Sequence, residues 1–369
     1  MPVPVFDNKK QHSEIRGELD KALSSVVDSG HFILGPNVKA LEEEVAAYCG
    51  VKHAVGVASG TDAIHLSLRA CGIQGGDEVI TTPFTFVATI EAICYIGAKP
   101  VFVDIDHKTF NLDPKKIKKK IGRKTKAILP VHLYGQSADM EPILDLAQKH
   151  KLKVIEDGAQ AIGAEYMGRK VCSFGDAGCL SFFPTKNLGG FGDGGMVMTN
   201  NDEVAEAARV LRDHGSKTVY HYDLIGYNSR LDEVQAALLR VKLNHLERWT
   251  KARQKNASIY DSELARVLEV ERPVVHENCT HVYNQYIIRA KNRNMLQEHL
   301  KNKGIGARIY YPLSLHLQKA YSFLKYKFGS LPESETAQEE VLSLPIYPEL
   351  EGSQVREVCS AINEFYLNF

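Results

Sequence analysis

Through the first two thirds of the chain, short apolar runs alternate with amphipathic stretches. Residues 78–80, 100–105, 126–131, 153–156, 177–183 and 195–199 read as strands. Several of these are nearly continuous in Val, Ile, Leu and Phe, as strands covered on both faces must be. Between them, 61–71, 86–96, 140–150 and 203–213 read as helices. Such alternation with short connections predicts an α/β fold: a mostly parallel central sheet wrapped by helices.

The character changes after Arg230. Leu231, Val234, Leu238, Val241 and Trp249 recur mostly by threes and fours with charge between them, which predicts one long helix running towards Leu264. That helix would join a large domain, residues 1–245 with the N-terminal segment, to a smaller C-terminal α/β domain, residues 246–369. Within the latter, 282–290 and 305–311 read as strands, 294–303 and 353–367 as helices. The lysine run 115–120 reads as a solvated helix face.

Charge narrows the function classes. The 369 residues carry 45 Lys+Arg against 45 Asp+Glu, so the net charge is zero and offers no electrostatic footprint for nucleic acid or an anionic membrane. No apolar run reaches the length of about 18 residues that crosses a bilayer. The charged start, with Asp7, Lys9, Lys10, Glu14 and Arg16, lacks the apolar core of a secretory leader. Seven scattered cysteines without a C-x-x-C pair fit neither a disulfide framework nor a zinc site, and no His/Asp/Glu spacing suggests a metal. The expectation is a cytoplasmic protein with reduced thiols.

Four segments carry candidate chemistry. Ser59-Gly60-Thr61-Asp62-Ala63 precedes a helix, where backbone N–H groups and the helix dipole receive an anion; an ordinary N-cap fits it equally. Val154-Ile155-Glu156-Asp157-Gly158-Ala159-Gln160 ends an apolar strand in a carboxylate at the edge where open α/β sheets bind ligands. Asp157 there either pairs with a protonated ring nitrogen or caps the next turn. Lys186 lies in a loop followed by five glycines within residues 189–195, flanked by Phe182, Phe183 and Leu188. A lysine in a loop is ordinarily a solvated charge, but one desolvated in such a pocket becomes a nucleophilic amine suited to a Schiff base. Gly226-Tyr227-Asn228-Ser229-Arg230-Leu231-Asp232 offers further polar groups. A phosphate cradle, a carboxylate for a pyridinium and a Schiff-base lysine are together what pyridoxal phosphate requires.

These segments, S-G-T-D-A, F-T-F-V-A-T, E-D-x-A-Q, S-F-x-P-x-K-N-L-G and G-x-N-x-R-L-D in that order, resemble the DegT-type (DegT/DnrJ/StrS) pyridoxal-phosphate-dependent nucleotide-sugar aminotransferases. The resemblance spans nearly the whole chain. It implies an aspartate-aminotransferase-like fold (fold type I) and a homodimer with active sites at the subunit interface. It also implies roles. Lys186 matches the lysine that forms the imine with the cofactor, Asp157 the acid facing the pyridine nitrogen, and Gln160 the partner of the ring hydroxyl. Gly60, Thr61 and Ser181 match phosphate ligands, joined by Asn228 from the other subunit, and Phe86 matches a ring-stacking aromatic. A dehydratase branch of the family has histidine in place of the lysine, so Lys186 implies transamination.

Arg230, Tyr311 and His316 fall in segments that line the sugar-nucleotide site in relatives, although Arg230 could pair with a carboxylate and His316 could be structural. The implied reaction uses L-glutamate, a nucleotide-diphospho-ketosugar, and pyridoxamine phosphate as the carrier of the amino group. Segments 214–217 and 311–318 look most like members acting at carbon 3 rather than carbon 4. The products of such enzymes serve lipopolysaccharide, S-layer or antibiotic sugars, among which the sequence does not choose. Two alternatives remain: a non-catalytic regulatory member, and an amino-acid aminotransferase whose carboxylate arginine would be Arg289 or Arg308.

Overall fold

The computed structural model describes residues 2–218 and 220–368; the end positions 1 and 369 of the two expected domains lie outside them. Seven strands form the central sheet: β1 His53–Val57, β2 Glu78–Thr81, β3 Lys99–Phe102, β4 Thr125–Ile128, β5 Lys153–Asp157, β6 Ala177–Ser181 and β7 Gly195–Thr199. Their order is β3-β2-β4-β5-β6-β7-β1. Only β7 runs against the others, antiparallel to both β6 and β1; the pairs β2–β3, β2–β4, β4–β5 and β5–β6 are parallel. The short strand β1, with its Gly56, was not expected from the sequence.

Adjacent residues of β5 show how the sheet is covered. Ile155 packs with Ile64, Leu66 and Leu68 of the helix Gly60–Ala70. Val154 packs with Ile143 and Ala147 of the helix Met140–His150. Neighbours on a strand point to opposite faces, so the two helices lie on opposite sides of the sheet. Strands β3, β4 and β6 stop at Phe102, Ile128 and Ser181, short of the apolar runs that predicted them. The remaining residues leave the sheet at the carboxyl ends of the parallel strands, where the site is built.

The C-terminal part has its own antiparallel sheet, β8 Val270–Glu271, β9 Tyr286–Ala290 and β10 Val341–Leu344, in the order β8-β9-β10. The helices Arg293–Asn302 and Gly352–Leu367 bury Leu296, Leu300, Val355, Val358 and Ile362 against it. Strand β9 begins at Tyr286 because 282–285 is drawn into the large domain: the amides of Val282 and Gln285 donate to Gly135 and Tyr134 carbonyls at 2.9 and 3.2 Å.

Three expectations change. The long helix is two, Glu233–Leu243 and Leu246–Glu263; the His245 amide turns back only three residues, to the Lys242 carbonyl at 3.0 Å, and so tightens the chain between them. Residues 305–311 form no strand; their β-pairing among the described residues is limited to single bridges, Val3 with Ile305 and Arg308 with Ser343. The N-terminal segment, expected with the large domain, places Val3 in the second core beside Tyr260, Ile288 and Ile305.

Candidate active site

Five strand ends supply the site. After β1, Ser59 caps the helix Gly60–Ala70 by accepting the Asp62 amide at 3.1 Å. Among the described residues nothing takes the amide hydrogens of Gly60 and Thr61, which is the condition for an anion at a helix start. A Cβ at Gly60 would lie 2.6 Å from Cβ of Ser181, at the end of β6. Only glycine lets these two candidate phosphate ligands come so close.

Asp157, the last residue of β5, is buried. Its Oδ2 accepts from the Thr89 hydroxyl at 2.8 Å and its Oδ1 from the Ala159 amide at 3.1 Å. Burial raises its carboxyl pKa, while Thr89, Ala159 and the nearby Lys186 charge pull it back down. The neighbouring Glu156 serves the scaffold: it accepts from the amides of Cys172, Phe174 and Gly175, each at 2.8 Å, and pairs with His132 at 2.9 Å. His132 Nδ1 accepts the Ala138 amide at 3.0 Å, which leaves Nε2 to donate to Glu156.

Lys186 sits in the tight loop between β6 and β7. Its amide donates to the Phe183 carbonyl at 2.9 Å. A Cβ at Gly189 would lie 2.4 Å from the Pro184 carbonyl, so the turn demands glycine there. Desolvation lowers the Lys186 amine from 10.5 to about 8, against the opposing pull of Asp157. The side chain is half-buried and so keeps an open approach. Lys242, itself lowered to about 8 by burial, holds the loop from behind by donating to the Gly189 carbonyl.

Gln160 links two aromatic segments. Its Oε1 accepts the Tyr134 amide at 2.7 Å and its Nε2 donates to the Tyr311 hydroxyl at 3.1 Å. Tyr134 in turn donates to the Tyr310 carbonyl. Phe84 is fully buried, whereas Phe86 is 55% exposed with its ring centroid 6.4 Å from that of Tyr311. Phe86, not Phe84, therefore has a free aromatic face to offer.

The other candidates divide. Ser229 is buried and donates to Asp62 at 2.8 Å, which fixes the 226–232 segment against the helix start. Asn228 bridges Asp213 through its backbone, and its side chain is exposed. Arg230 does pair with a carboxylate, Asp213 Oδ1, at 3.0 Å. His316 is buried, bonded to Glu335 at 2.9 Å and packed near Phe102 and Tyr326, which fits the structural role that the sequence also allowed it. Thr89, His132, Tyr134 and Lys242 were not identified from sequence. Thr89 alone left a trace, as the last residue of F-T-F-V-A-T.

A buried carboxylate, a depressed amine, a glycine-only anion cradle and an exposed aromatic face fit pyridoxal phosphate, which makes Asp157, Lys186, Gly60 with Ser181, and Phe86 the candidates to hold it. The class that this fold and site define is the pyridoxal-phosphate-dependent aminotransferases. Residues 13–363 match the DegT/DnrJ/EryC1/StrS aminotransferase family, and the chain belongs to it. It is 52% identical over 371 residues, covering all of both chains, to a protein of Geobacillus stearothermophilus called pleiotropic regulatory protein. It is 46% identical over 360 residues to the UDP-N-acetyl-3-dehydro-alpha-D-glucosamine 3-aminotransferase of Acidithiobacillus ferrooxidans, covering 98% of this chain and 97% of the relative. The crystal structure of Streptomyces venezuelae DesV in complex with a ketimine intermediate superposes with a TM-score of 0.97 at 44% identity, over 99% of this chain and 98% of DesV. Among the described residues there is no cluster suited to a metal ion and no helix long and apolar enough to cross a membrane.

Proposed function

We propose that this aminotransferase moves an amino group from L-glutamate to carbon 3 of a nucleotide-diphospho-ketohexose in amino-sugar biosynthesis, as a homodimer with shared active sites. The observation that carries the reading is the pair formed by Lys186 and Asp157, a depressed amine facing a buried carboxylate. Full-length likeness to a relative named as a sugar 3-aminotransferase supports the acceptor and the position.

When bound, the cofactor supplies a carbonyl that exchanges oxygen for nitrogen and a ring that accepts the electron pair left by a departing proton. The chain's own residues do the rest. With its pKa near 8, a useful fraction of Lys186 is the free base at neutral pH, so Nζ takes a proton from the amino-bearing carbon and returns it one position away. Asp157, held by Thr89 and Ala159, would pair with the protonated ring nitrogen. Gln160 would hold the ring hydroxyl and Phe86 would cover one ring face. In the second half-reaction the same Lys186 proton shift runs in reverse. Remote binding of the nucleotide diphosphate orients the ketone.

The relative called a pleiotropic regulatory protein gives a second reading, a regulator that keeps the fold without turnover. Lys186, Asp157 and Gln160, all present, favour catalysis. The deciding experiment incubates the cofactor-loaded protein with glutamate and a panel of nucleotide ketosugars, followed by mass spectrometry and visible absorbance. Turnover of a 3-ketosugar is the expected result. Absorbance that glutamate does not bleach, with no aminated sugar, overturns the proposal.

A further inference from the structure

The candidate catalytic residues gather at the carboxyl ends of the parallel strands. The opposite rim of the sheet, where those strands begin, has a chemistry of its own. In residues 115–126, eight of the twelve are Lys or Arg and none is Asp or Glu. The segment is pinned to the large domain: Ile117 is fully buried beside Ile80 and Ile128, and Ile121 packs against the same core. With those two side chains turned inward, Lys115, Lys118, Lys119, Lys120 and Arg123 are left exposed. Lys124 and Lys126, on either side of the first residue of β4, are exposed as well.

The rim continues to the next strand. Ala127 of β4 lies in register with Lys153, the first residue of β5, and Lys149 and Lys151 stand exposed just ahead of it. Acids at these strand starts are already engaged: Glu78 with Lys99 at 3.5 Å, Asp113 with Lys116 at 3.4 Å and Asp176 with Lys153 at 2.7 Å. Asp77 accepts the Gln74 amide at 3.0 Å. Among the described residues the exposed cations of the rim have no ion pair. Like charges crowded on one edge repel one another, a cost that a facing anionic surface relieves.

The side chains narrow the partner. Within 99–126 and 149–153 no large apolar side chain is exposed, so these segments offer no ring for a base to stack on and no wedge to enter lipid tails. Their free cations are lysines with a single arginine, point charges without the guanidinium fork that selects one phosphate or carboxylate. Such an array suits a diffuse layer of negative charge better than a partner read group by group.

We infer that this rim docks the enzyme reversibly on the surface of an anionic lipid bilayer, with no segment inserted. The zero net charge of the whole chain conceals it, because the unpaired cations gather on one edge. The two ends of the parallel strands are opposite edges of the sheet, so contact at the rim leaves the active site open.

The test is sedimentation of the full-length, cofactor-loaded enzyme with vesicles of phosphatidylcholine, alone or mixed with phosphatidylglycerol. Binding is expected only to the anionic vesicles. It should be lost as salt rises from about 0.1 to about 1 M, where the screening length falls from about 10 to about 3 Å. The triple variant Lys118→Glu/Lys119→Glu/Lys120→Glu should bind at least about tenfold more weakly, and the matching triple change to Arg should keep binding. Lys124→Glu/Lys126→Glu should weaken it independently. All of these variants should keep wild-type kcat and KM in solution, since none of them touches the site. Failure of the wild type to bind anionic vesicles at low salt overturns the inference, as does equal binding by wild type and the triple Glu variant; the rim is then only a solvated face. Tighter binding to single-stranded RNA than to the anionic vesicles would give the rim to nucleic acid and overturn it too.

Discussion

The hydroxyl of Thr89 donates to Oδ2 of Asp157 across 2.8 Å, with both residues buried. Thr89 lies on the first turn of the helix Ala88–Tyr95 and Asp157 ends β5, so this bond joins a helix start to a strand end. Thr85 extends it, 3.0 Å from the Thr89 hydroxyl. The carboxylate is therefore aimed by a chain of hydroxyls, and its charge is supported where burial alone would neutralise it.

Thr89→Val keeps the shape and removes that donor. The Asp157 carboxyl should shift further upward, because one of the groups holding it down is gone. Turnover is expected to fall about tenfold with cofactor affinity little changed, and stability to drop by roughly 1–3 kcal/mol from the unsatisfied oxygen. Steady-state kinetics beside a cofactor titration separates the two effects. A kcat equal to wild type would show that Thr89 only fills space.

The depressed amine gives a pH signature. In the cofactor-free protein, Lys186 is charged below about 8 and neutral above it. The rate of pyridoxal phosphate capture should climb with pH up to about 8 and then level off; an ordinary lysine would keep climbing towards 10.5. Lys186→Ala should remove the imine absorbance and turnover while leaving a folded protein that still binds pyridoxamine phosphate. More than trace transaminase activity in that variant would be incompatible with the proposed mechanism.

Gly60→Ala tests the anion cradle. The new Cβ would meet Cβ of Ser181 at 2.6 Å, a contact relieved only by moving the end of β6 or the helix start. Cofactor affinity should drop at least about tenfold, as expected when more than one charge-assisted contact is misplaced. Equilibrium dialysis of the phosphorylated cofactor against its dephosphorylated form measures this. Equal losses for the two forms would place the lesion elsewhere than the phosphate.

Mixing variants tests assembly. Asn228→Asp puts a negative charge beside a phosphate, which weakens binding by like-charge repulsion. If Asn228 serves the neighbouring subunit, a mixed dimer of Lys186→Ala and Asn228→Asp chains has one site with both lesions and one with neither. Activity should then rise above that of both parents once native mass spectrometry shows heterodimers. Heterodimers without that rise would place Asn228 in its own subunit's site.

The legible parts of the chain were those decided locally. The α/β alternation showed in apolar runs, and the positions of Lys186, Asp157 and Gly60 showed in short segments with their own turn chemistry. What escaped was set by contacts distant in sequence. His132 earns its place only because β4 and β5 lie side by side, bringing it to Glu156. Lys242 reaches the Gly189 carbonyl from 53 residues away. His316 sits in a motif that suggests ligand contact, yet Glu335 claims it in the wall. The break before Leu246 was hidden because the apolar spacing from Leu231 to Trp249 runs through it.

The bridge between Val3 and Ile305 has a consequence for how the molecule comes into being. Val3 takes the Gly304 carbonyl at 3.0 Å and gives its own carbonyl to the Gly306 amide at 2.7 Å, inside the second core. On a ribosome the large domain could close long before the segment around Ile305 has emerged. The early residues would wait unpaired throughout that interval, and their capture would be among the last long-range events of synthesis.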